Sequence, residues 1–356
     1  MQNLLNTFRN KTVLITGISG FKGSWLAIWL HTLGAKVIGY SLSPKTSKDN
    51  FAICGLDKKF RCIKADIRNE KRLFDVFKQY QPQLAYHLAA QSLVLESYKQ
   101  PAYTYHTNIM GTVNFFEAVR KTPSVKVAIN ITSDKCYAIK SGKNYYTESD
   151  PLGGIDPYSS SKAASEIITY SYLQSFFSKP GTTQIASVRA GNVIGGGDWA
   201  ENRIIPDCMR ALFHNKPIVI RNPNAVRPWQ HVLDPLYGYL LLGSYLYTKG
   251  TKYEGAWNFG PSAKNIVTVK EIIHELIRQY GKGTMILRKK TDRAHYETKF
   301  LHLNNTKACK ELGWTPLLNY KKAIQWTLAE YMQHGGKTHV FQQRVRHIEA
   351  YCQKIK

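Results

Sequence analysis

Long apolar runs and paired cysteines are both absent from this sequence. No run reaches the roughly 18 apolar residues that a membrane-spanning helix needs, so we expect no membrane insertion. The first residues show no apolar core after a basic start and no small-residue cleavage site, which predicts that there is no signal peptide. Six cysteines are scattered without CxxC or other metal-binding spacing. This pattern favours free thiols, no metal site and a cytoplasmic location.

Acidic residues are also scarce. The chain has 24 Asp and Glu against 49 Lys and Arg, a formal net charge of +25. Such a charge suits nucleic acid, an anionic membrane surface or an anionic small substrate, and a lysine-rich surface without a partner is the simplest alternative. The basic residues are spread along the whole chain, without a zinc-finger, helix-turn-helix or aromatic RNA-binding signature. We therefore expect no nucleic-acid partner, whereas a phosphorylated substrate would benefit from the same field.

The first half of the chain alternates short β-type runs with helical patterns. Runs rich in Val, Ile, Leu and Ala predict buried parallel strands at 12–17, 36–40, 61–66, 84–90, 126–133 and 185–191. Helical stretches lie between them, including 21–33, 69–80, 101–121 and 157–178. This order predicts an α/β fold with a doubly wound parallel (Rossmann) sheet and, at 356 residues, room for two lobes.

The pattern becomes irregular after about residue 190 and richer in Pro, Asn and Arg. Pro223 and Pro228 exclude a regular helix in "RNPNAVRPWQH". We predict a nucleotide-binding domain over 1–190, rejoined by about 228–260. A smaller C-terminal substrate-binding lobe is predicted mainly over 191–336.

The last stretch, 337–356, is predicted to be an amphipathic helical extension. Phe341, Val345, Ile348, Cys352 and Ile355 recur at alternating spacings of four and three, which places an apolar stripe on a basic helix. We expect this helix to dock on the body of the protein or on a sister subunit, with membrane contact as the weaker alternative. Its deletion should lower stability or change the oligomer while sparing the chemistry.

A glycine-rich stretch, "TGISGFKG", follows the first predicted strand and opens the first helix. Gly17, Gly20 and Gly23 permit a tight turn, close approach of backbone N–H groups to a pyrophosphate, and tight packing of helix on strand. Glycine triplets alone often mark ordinary turns. Inside a βαβ unit this one predicts a dinucleotide site, which also includes Phe21 and Lys22.

The choice of dinucleotide stays open on these patterns. The second strand ends at Tyr40-Ser41, without an acid to hold a ribose 2′-hydroxyl, and Lys45 and Lys48 follow. This composition is compatible with NADP as well as NAD.

Two further stretches are candidates for the cofactor site. Asp66 ends the third strand and, with Ile67, is placed to contact the adenine, although Asp is also a common turn former. Leu88, Ala89 and Ala90 end the fourth strand with mostly small residues, where a cofactor can pass close to backbone. Ordinary packing of strand on helix explains the same residues.

A hydroxyl, a carboxylate and an amine stand together in "ITSDKCY", at Ser133, Asp134 and Lys135. In "DPYSSSKAASE", Tyr158 and Lys162 are four residues apart, on one face of a predicted helix. A phenol titrates near 10, and a neighbouring ammonium and a positive nicotinamide ring would lower its pKa. Either motif alone fits a solvated surface. Together with the glycine motif they predict a hydride-transferring enzyme.

These motifs resemble the extended short-chain dehydrogenase/reductase family over about residues 11–335 and, within it, the CDP-glucose 4,6-dehydratases. The stretches that carry the resemblance are "GFKGSWL" (20–26), "TSDKCY" (132–137), "DPYSSSKAASE" (156–166), "RAGNVIGGGDWAENRIIPD" (189–207), "RPWQHVLDPL" (227–236) and "WNFGP" (257–261). Related dTDP-glucose dehydratases carry Asp-Glu in place of Asp134-Lys135, and epimerases usually lack the pair. The pair therefore favours dehydration, with an epimerase or decarboxylase as the alternative.

The resemblance implies an NAD cofactor, a homodimer or homotetramer, and a nucleotide-diphosphate sugar, CDP-glucose, held between two lobes. It also implies a role in deoxysugar biosynthesis for lipopolysaccharide O-antigen. In the implied cycle, hydride leaves C4 for NAD while Tyr158 takes the hydroxyl proton, oriented by Ser133 and Lys162. Asp134 then protonates the leaving C6 hydroxyl, and hydride returns to C6. Lys135 is either the base that removes the C5 proton or a cation that stabilises the enolate.

The resemblance also supplies candidates for the substrate. Arg227 and Arg203 are expected at the diphosphate, since the guanidinium fork matches phosphate oxygens. Asn192 is a further expected contact to the sugar nucleotide, and His295 is expected to line the nucleotide site. The alternatives are solvated arginines and a surface loop at His295. The residues do not rank CDP, GDP, dTDP and UDP by physical chemistry.

Overall fold

The computed structural model describes residues 2–140, 142, 145–179, 181–262, 265–287, 301–332 and 336–355. Its strands are β1 (Thr12–Thr16), β2 (Lys36–Ser41), β3 (Arg61–Lys64), β4 (Leu84–His87), β5 (Val127–Ile131), β6 (Tyr145–Tyr146), β7 (Gln184–Arg189), β8 (Val193–Ile194), β9 (Ile218–Ile220), β10 (Val226–Pro228), β11 (Gln230–His231), β12 (Gly255–Asn258), β13 (Ile266–Thr268), β14 (Met285–Leu287) and β15 (His302–Leu303). Its helices are α1 (Gln2–Phe8), α2 (Phe21–Thr32), α3 (Asn50–Ile53), α4 (Leu56–Lys59), α5 (Glu70–Tyr80), α6 (Val94–Lys99), α7 (Pro101–Tyr105), α8 (Gly111–Arg120), α9 (Pro157–Phe176), α10 (Ile204–Phe213), α11 (Leu233–Lys249), α12 (Val269–Tyr280), α13 (Thr306–Leu312), α14 (Tyr320–Tyr331) and α15 (Lys337–Cys352).

Seven parallel strands form the central sheet, in the order β12-β7-β5-β4-β1-β2-β3. The six strands predicted from the sequence are all present, with somewhat earlier ends in most cases, and the predicted fold class is confirmed. Strand order reverses between β1 and β4. In sheets of this kind a ligand crevice lies at that point, outside the carboxyl ends of the strands.

Both faces of the sheet are covered by helices. Apolar side chains of α2, α11 and α15 form a core on one face, and those of α5, α8 and α9 form a core on the other. Alternate strand residues serve the two faces, so that Val13 and Ile15 enter the first core and Leu14 the second. Burial on both faces explains why the strands are continuous apolar runs.

The later part of the chain both rejoins the sheet and builds a separate core. β12 pairs with β7, with Trp257 opposite Val188. A third apolar cluster lies around α10, α12 and α14, next to the short sheet of β9 and β14 and to Trp229. The residues that connect this cluster to the sheet, Asn192 to Arg203, pass the carboxyl ends of the central strands.

One predicted helix is interrupted. The sequence predicts a single helix over 101–121, whereas the structure has α7, one turn of π-helix at His106–Met110, and then α8. At this turn the side-chain oxygen of Asn108 accepts a hydrogen bond from the backbone N–H of Gln91 at 2.8 Å, and its amide donates to the Ser161 hydroxyl at 2.8 Å. The wider turn coincides with a side chain that joins two neighbouring segments.

The last helix, α15, lies on the body of the protein against α2 and α3. Phe341 and Ile348 of the predicted stripe are buried, and Val345, Cys352 and Ile355 pack partly buried against the same core. Within the described ranges, none of the helices combines the length and the apolar character needed to cross a membrane.

Candidate active site

The glycine-rich loop between β1 and α2 is packed too tightly for side chains at two of its glycines. Gly17 has a left-handed φ of +74°, and a Cβ there would lie 2.6 Å from the backbone N of Ala89. A Cβ on Gly23 would lie 2.2 Å from the carbonyl oxygen of Gly17. The loop therefore rests directly on the end of β4, where Leu88, Ala89 and Ala90 are half-buried. This narrow backbone cradle fits a pyrophosphate.

The end of β3 forms the far side of this crevice. The Asp66 carboxylate accepts hydrogen bonds from the backbone N–H of Arg68 at 2.9 Å and from its guanidinium at 2.7 Å. The side-chain hydrogen bond from Arg68 lowers the pKa of Asp66, so that Asp66 is an anion at neutral pH. Ile67 is buried, and its carbonyl accepts from the Asn114 amide at 3.0 Å.

Ser133, Asp134, Tyr158 and Lys162 are brought together in one buried centre. Ser133 and Asp134 leave the end of β5 through a 3-10 turn at Asp134–Cys136. The Ser133 hydroxyl donates a 2.9 Å hydrogen bond to the Asp134 carboxylate, and the Lys162 ammonium donates to the carbonyl of Ile131 at 3.2 Å. Tyr158 and Lys162 stand in the first turns of α9.

The start of α9 is fixed by a helix cap. The Asp156 carboxylate accepts a 2.9 Å hydrogen bond from the backbone N–H of Ser159, and Pro157 occupies the first turn. Lys135 is half-buried on the 3-10 turn, and its backbone N–H donates to the Ser133 hydroxyl at 3.2 Å. Both motifs found in the sequence therefore meet at the carboxyl end of the sheet.

Burial sets the protonation of Tyr158 and Lys162. It raises the pKa of Tyr158 to about 12, while the hydrogen bond with Ser133 acts in the opposite direction. Burial also lowers the pKa of Lys162 to about 8, and the Glu166 carboxylate one turn further along α9 opposes this shift. Tyr158 is thus a neutral phenol near pH 7, and an added positive charge beside it would favour the phenolate.

Lys22 is close enough to this centre for the charges of its residues to shift the pKa of Lys22. Burial, followed by the charge of Arg203, lowers the pKa of Lys22 to about 8, whereas Asp134 acts to raise it. The charge of Lys162 also acts on it. A residue predicted for the cofactor loop therefore lies among the groups of the buried centre. The concentration of cations suits an anionic ligand.

Gly191 is a site residue that sequence reasoning missed. A Cβ at this position would lie 1.9 Å from a carboxylate oxygen of Asp134, so that only glycine leaves room for the acid. Asn192 follows it with a left-handed φ of +46° and a half-buried side chain. The signal was the "RAGNV" stretch, which carries the family resemblance but does not say what the glycine faces.

The two candidate arginines occupy different parts of the site. Arg203 forms a 2.9 Å ion pair with Asp198 and donates to the Ser92 hydroxyl at 3.3 Å, and its charge acts on Tyr158. Arg227 is half-buried on β10, and its charge acts on His302. His295 lies outside the described residues.

His302 is a second residue that the sequence did not indicate. It is buried on β15, which pairs with β6, and its ring lies 5.7 Å from that of Tyr145. Burial lowers the pKa of His302, while the Asp134 charge acts to raise it and the Arg227 charge to lower it. His302 and Tyr145 line a cavity of about 180 Å³ between β6, β10 and β15.

A buried ion pair, formed by Arg189 and Glu166, lies next to the buried centre. Arg189 donates to Glu166 at 2.8 Å and to the Tyr137 hydroxyl at 2.6 Å. Glu166 also accepts a hydrogen bond from Thr132, and the Tyr137 hydroxyl donates to Asn258 at 2.8 Å. The network fixes both ends of "ITSDKCY". Among the residues that the structure describes, no cluster of three His, Cys, Asp or Glu side chains is placed to hold a metal ion.

Comparison with known proteins agrees with this geometry. The model of the GDP-mannose 4,6 dehydratase family matches residues 14–327. The chain belongs to this family. A CDP-glucose 4,6-dehydratase of Salmonella typhimurium is 41% identical over 338 residues, which cover 94% of this chain and 92% of that protein. A dTDP-glucose 4,6-dehydratase of Neisseria meningitidis serogroup B is 26% identical, covering 89% and 93%. The resemblance inferred from the motifs is confirmed.

Solved structures with the same fold include another 4,6-dehydratase and a sugar epimerase. A dTDP-glucose 4,6-dehydratase from Bacillus anthracis in complex with NAD has a TM-score of 0.74 at 24% identity, covering 90% of this chain and 96% of that one. A UDP-glucose 4-epimerase from Thermotoga maritima with UDP-glucose has a TM-score of 0.76 at 21% identity, covering 94% and 99%. At these identities the likeness is one of fold.

Proposed function

We propose that the protein is an NAD-dependent dehydratase that converts CDP-glucose to CDP-4-dehydro-6-deoxyglucose and water. The observation that carries the proposal is the buried centre in which the Asp134 carboxylate lies 2.9 Å from the Ser133 hydroxyl, beside Tyr158 and Lys162. An acid placed next to a hydride-transfer set is what elimination of water after oxidation requires. The similarity to a CDP-glucose 4,6-dehydratase supports the nucleotide.

The cofactor site is assigned to the crevice at the switch of strand order. Gly17, Gly20, Phe21, Lys22 and Gly23 would surround the pyrophosphate. Leu88, Ala89 and Ala90 would pass beneath the cofactor, and Asp66 and Ile67 would lie on the adenine side. When bound, NAD supplies the acceptor for the C4 hydride and the donor that returns it. The NAD in the related B. anthracis structure supports this cofactor over NADP.

The chain's own groups then have separate tasks. Tyr158, in its phenolate form, removes the C4 hydroxyl proton, while Ser133 orients that hydroxyl and the charge of Lys162 lowers the pKa of the phenol. Asp134, in its protonated form, delivers a proton to the leaving C6 hydroxyl. Lys135 acts at C5, as the base or as the cation beside the enolate.

The substrate is assigned to the cationic side of the centre. Arg203 and Arg227 would hold the diphosphate, Asn192 would contact the sugar nucleotide, and His295 would line the nucleotide site. The charge of Arg203 acts on Tyr158, and that of Arg227 acts on His302. A dianionic diphosphate would neutralise part of this positive charge.

We also propose a homodimer that buries the outer face of the helices around the catalytic one. Large apolar side chains are exposed on and beside α6, α7, α9 and the π-helical turn, namely Tyr98, Tyr105, Met110, Ile155, Ile167, Tyr170 and Phe176. A patch of this kind marks an interaction site. Light scattering should show that Ile167→Glu combined with Tyr170→Glu is a monomer. The control Val219→Glu, at a separate exposed position, should keep the oligomer. An unchanged oligomer in the double variant would reject this face.

Six free thiols support a reducing compartment, the cytoplasm, for this enzyme. Its product, a 4-keto-6-deoxyhexose nucleotide, suits deoxysugar biosynthesis for lipopolysaccharide O-antigen, and we place the enzyme there.

The decisive experiment offers the purified protein NAD and each of CDP-, GDP-, dTDP- and UDP-glucose. We expect mass spectrometry to detect loss of one water from CDP-glucose, with catalytic NAD and no accumulation of free NADH. Tyr158→Phe should abolish hydride removal and leave ligand binding largely intact. Stoichiometric release of NADH would indicate a simple dehydrogenase, and a product that keeps its C6 oxygen would indicate an epimerase.

A further inference from the structure

The C-terminal helix α15 contributes a buried cation to the interior of the protein. Arg344 has no exposed surface. Its Nε donates to the side-chain oxygen of Asn50 at 2.9 Å, its Nη2 donates to the carbonyl of Glu330 at 3.1 Å, and its guanidinium covers the ring of Trp25 at 5.1 Å. A guanidinium is withdrawn from water only where its donors are matched, so that these contacts fix its place.

Glu330 is the neighbouring buried anion, and it holds a loop. Its carboxylate accepts from the backbone N–H of Gly196 at 2.6 Å and pairs with His347 of α15 at 2.7 Å and with His231 at 3.2 Å. A Cβ on Gly196 would lie 2.2 Å from the Cβ of Glu330 and 3.0 Å from Nη2 of Arg344. The glycine is therefore pressed between the two charged residues.

The next glycine is held from the other side. Gly197 has a left-handed φ of +79°, and its carbonyl accepts from the backbone N–H of Asn50 at 3.0 Å. Asn50 in turn donates to the hydroxyl of Ser24, in the first turns of α2. Arg344 thus lies where the cofactor-loop helix and the loop after β8 meet.

The same loop leads directly into the proposed substrate site. Asp198 follows Gly197, its carbonyl accepts from the Tyr331 hydroxyl, and its carboxylate forms the 2.9 Å ion pair with Arg203. Arg203 is the guanidinium whose charge acts on Tyr158. A continuous set of contacts therefore runs from α15 through the loop to the reaction centre.

We propose that Arg344 is a positioning residue for this enzyme, which acts by holding Glu330 and the segment 195–198 so that Arg203 is placed for the substrate. The inference rests on the proposed function in one respect, that Arg203 contacts the diphosphate. This proposal replaces the expectation that deletion of the C-terminal extension, 337–356, leaves the catalytic activity unchanged.

The first test compares Arg344→Met with Arg346→Met, an exposed arginine two residues further along the same helix. We expect Arg344→Met to raise the KM for CDP-glucose about 10-fold at little change in kcat, the scale of one weakened charge-assisted contact. Arg344→Lys should restore part of the loss, and Arg346→Met should match the wild type. A lower melting temperature with an unchanged KM would show a structural role only and overturn the proposal.

The second test asks whether Arg344 acts through Arg203. In a double-mutant cycle, Arg203→Met combined with Arg344→Met should have the KM of Arg203→Met alone. Multiplication of the two single effects would show that they are independent and would overturn the proposal. If Arg344→Met does not fold, the half-buried His347→Ala takes its place, with the same expected direction.

The third test does not depend on the reaction. Hydrogen exchange of a peptide covering 195–203 should be faster in Arg344→Met than in the wild type, while a peptide covering β5 keeps its rate. Equal exchange of the first peptide would overturn the inference. A wild-type protein that dehydrates no nucleotide-glucose would instead reject the proposed function, and the exchange result would stand separately.

Discussion

The contact between Gly191 and Asp134 predicts the effect of one methyl group on one step. In Gly191→Ala, the added Cβ would start 1.9 Å from the carboxylate oxygen, whereas ordinary contact begins at 3.4 Å. The carboxylate must therefore move by about 1.5 Å, which also strains its 2.9 Å hydrogen bond with Ser133. Gly191 lies outside the left-handed region, so alanine brings no backbone strain. A displacement of about 1 Å in a catalytic group costs about 100-fold in rate.

The larger loss should fall on elimination, because in the proposed cycle Asp134 acts after C4 has been oxidised, and the strained hydrogen bond to Ser133 should slow oxidation less. In a single turnover, we expect the absorbance of reduced nicotinamide to rise in Gly191→Ala. Mass spectrometry of quenched samples should then show water loss slowed about 100-fold, within the range attributed to a general acid. Gly336→Ala is a matched control, since no described residue lies within 4 Å of its added Cβ. Elimination at the wild-type rate in Gly191→Ala would refute the assignment of Asp134 as the acid.

The same centre and the core below it lead to three further predictions. Lys135→Met should still reduce NAD in a single turnover but exchange the C5 proton with deuterated water far more slowly, and unimpaired exchange would make the lysine a bystander. The kcat should fall as pH rises through about 8, because Lys162 with its lowered pKa loses its charge there, and a pH profile that stays level above that value would contradict its role. Asp234→Asn should stabilise the fold near neutral pH by up to about 3 kcal/mol in urea unfolding, since burial raises the pKa of Asp234 from 3.8 to about 6. The wild-type carboxyl stabilises the fold fully below pH 3.8, and this stabilisation is lost as pH rises through 6. A gain in unfolding free energy for Asp234→Asn at low pH that equals the gain at neutral pH would contradict the reasoning.

Much of the fold was predictable because its signals are local. A parallel strand covered on both faces must be apolar at every position, and this requirement marks β1, β4 and β5 in the sequence alone. The glycines of the cofactor loop and the spacing of Tyr158 and Lys162 are likewise set within a few residues. Such patterns predict which helix, strand or loop carries each functional group. The parallel order of the sheet then brings the ends of those elements together.

The parts that could not be predicted depend on residues far apart in the chain. Nothing near Gly191 indicates that it faces Asp134, and nothing near Arg344 indicates that it reaches Asn50. The amphipathic pattern of α15 marks its apolar stripe, but it treats Arg344 as one more surface cation. A buried charge is recognisable only from its partners, which in this case come from three separate segments.

The folded structure also shows how the positive charge of the chain relates to its substrate, which the even spread of basic residues along the sequence does not show. Lys22, Lys162 and Arg203 are far apart in the sequence, among 49 basic residues. In the structure they lie near one centre, where burial lowers the pKa of both lysines and the charges of Arg203 and Lys162 repel that of Lys22. Asp134 and Asp198 offset part of this charge, since Glu166 is already paired with Arg189, and an anionic ligand relieves the remaining cost of burying the cations. The centre therefore favours a diphosphate over a neutral sugar even before any hydrogen bond is counted. It is this local excess of positive charge, rather than the total of +25, that connects the composition of the chain to its substrate.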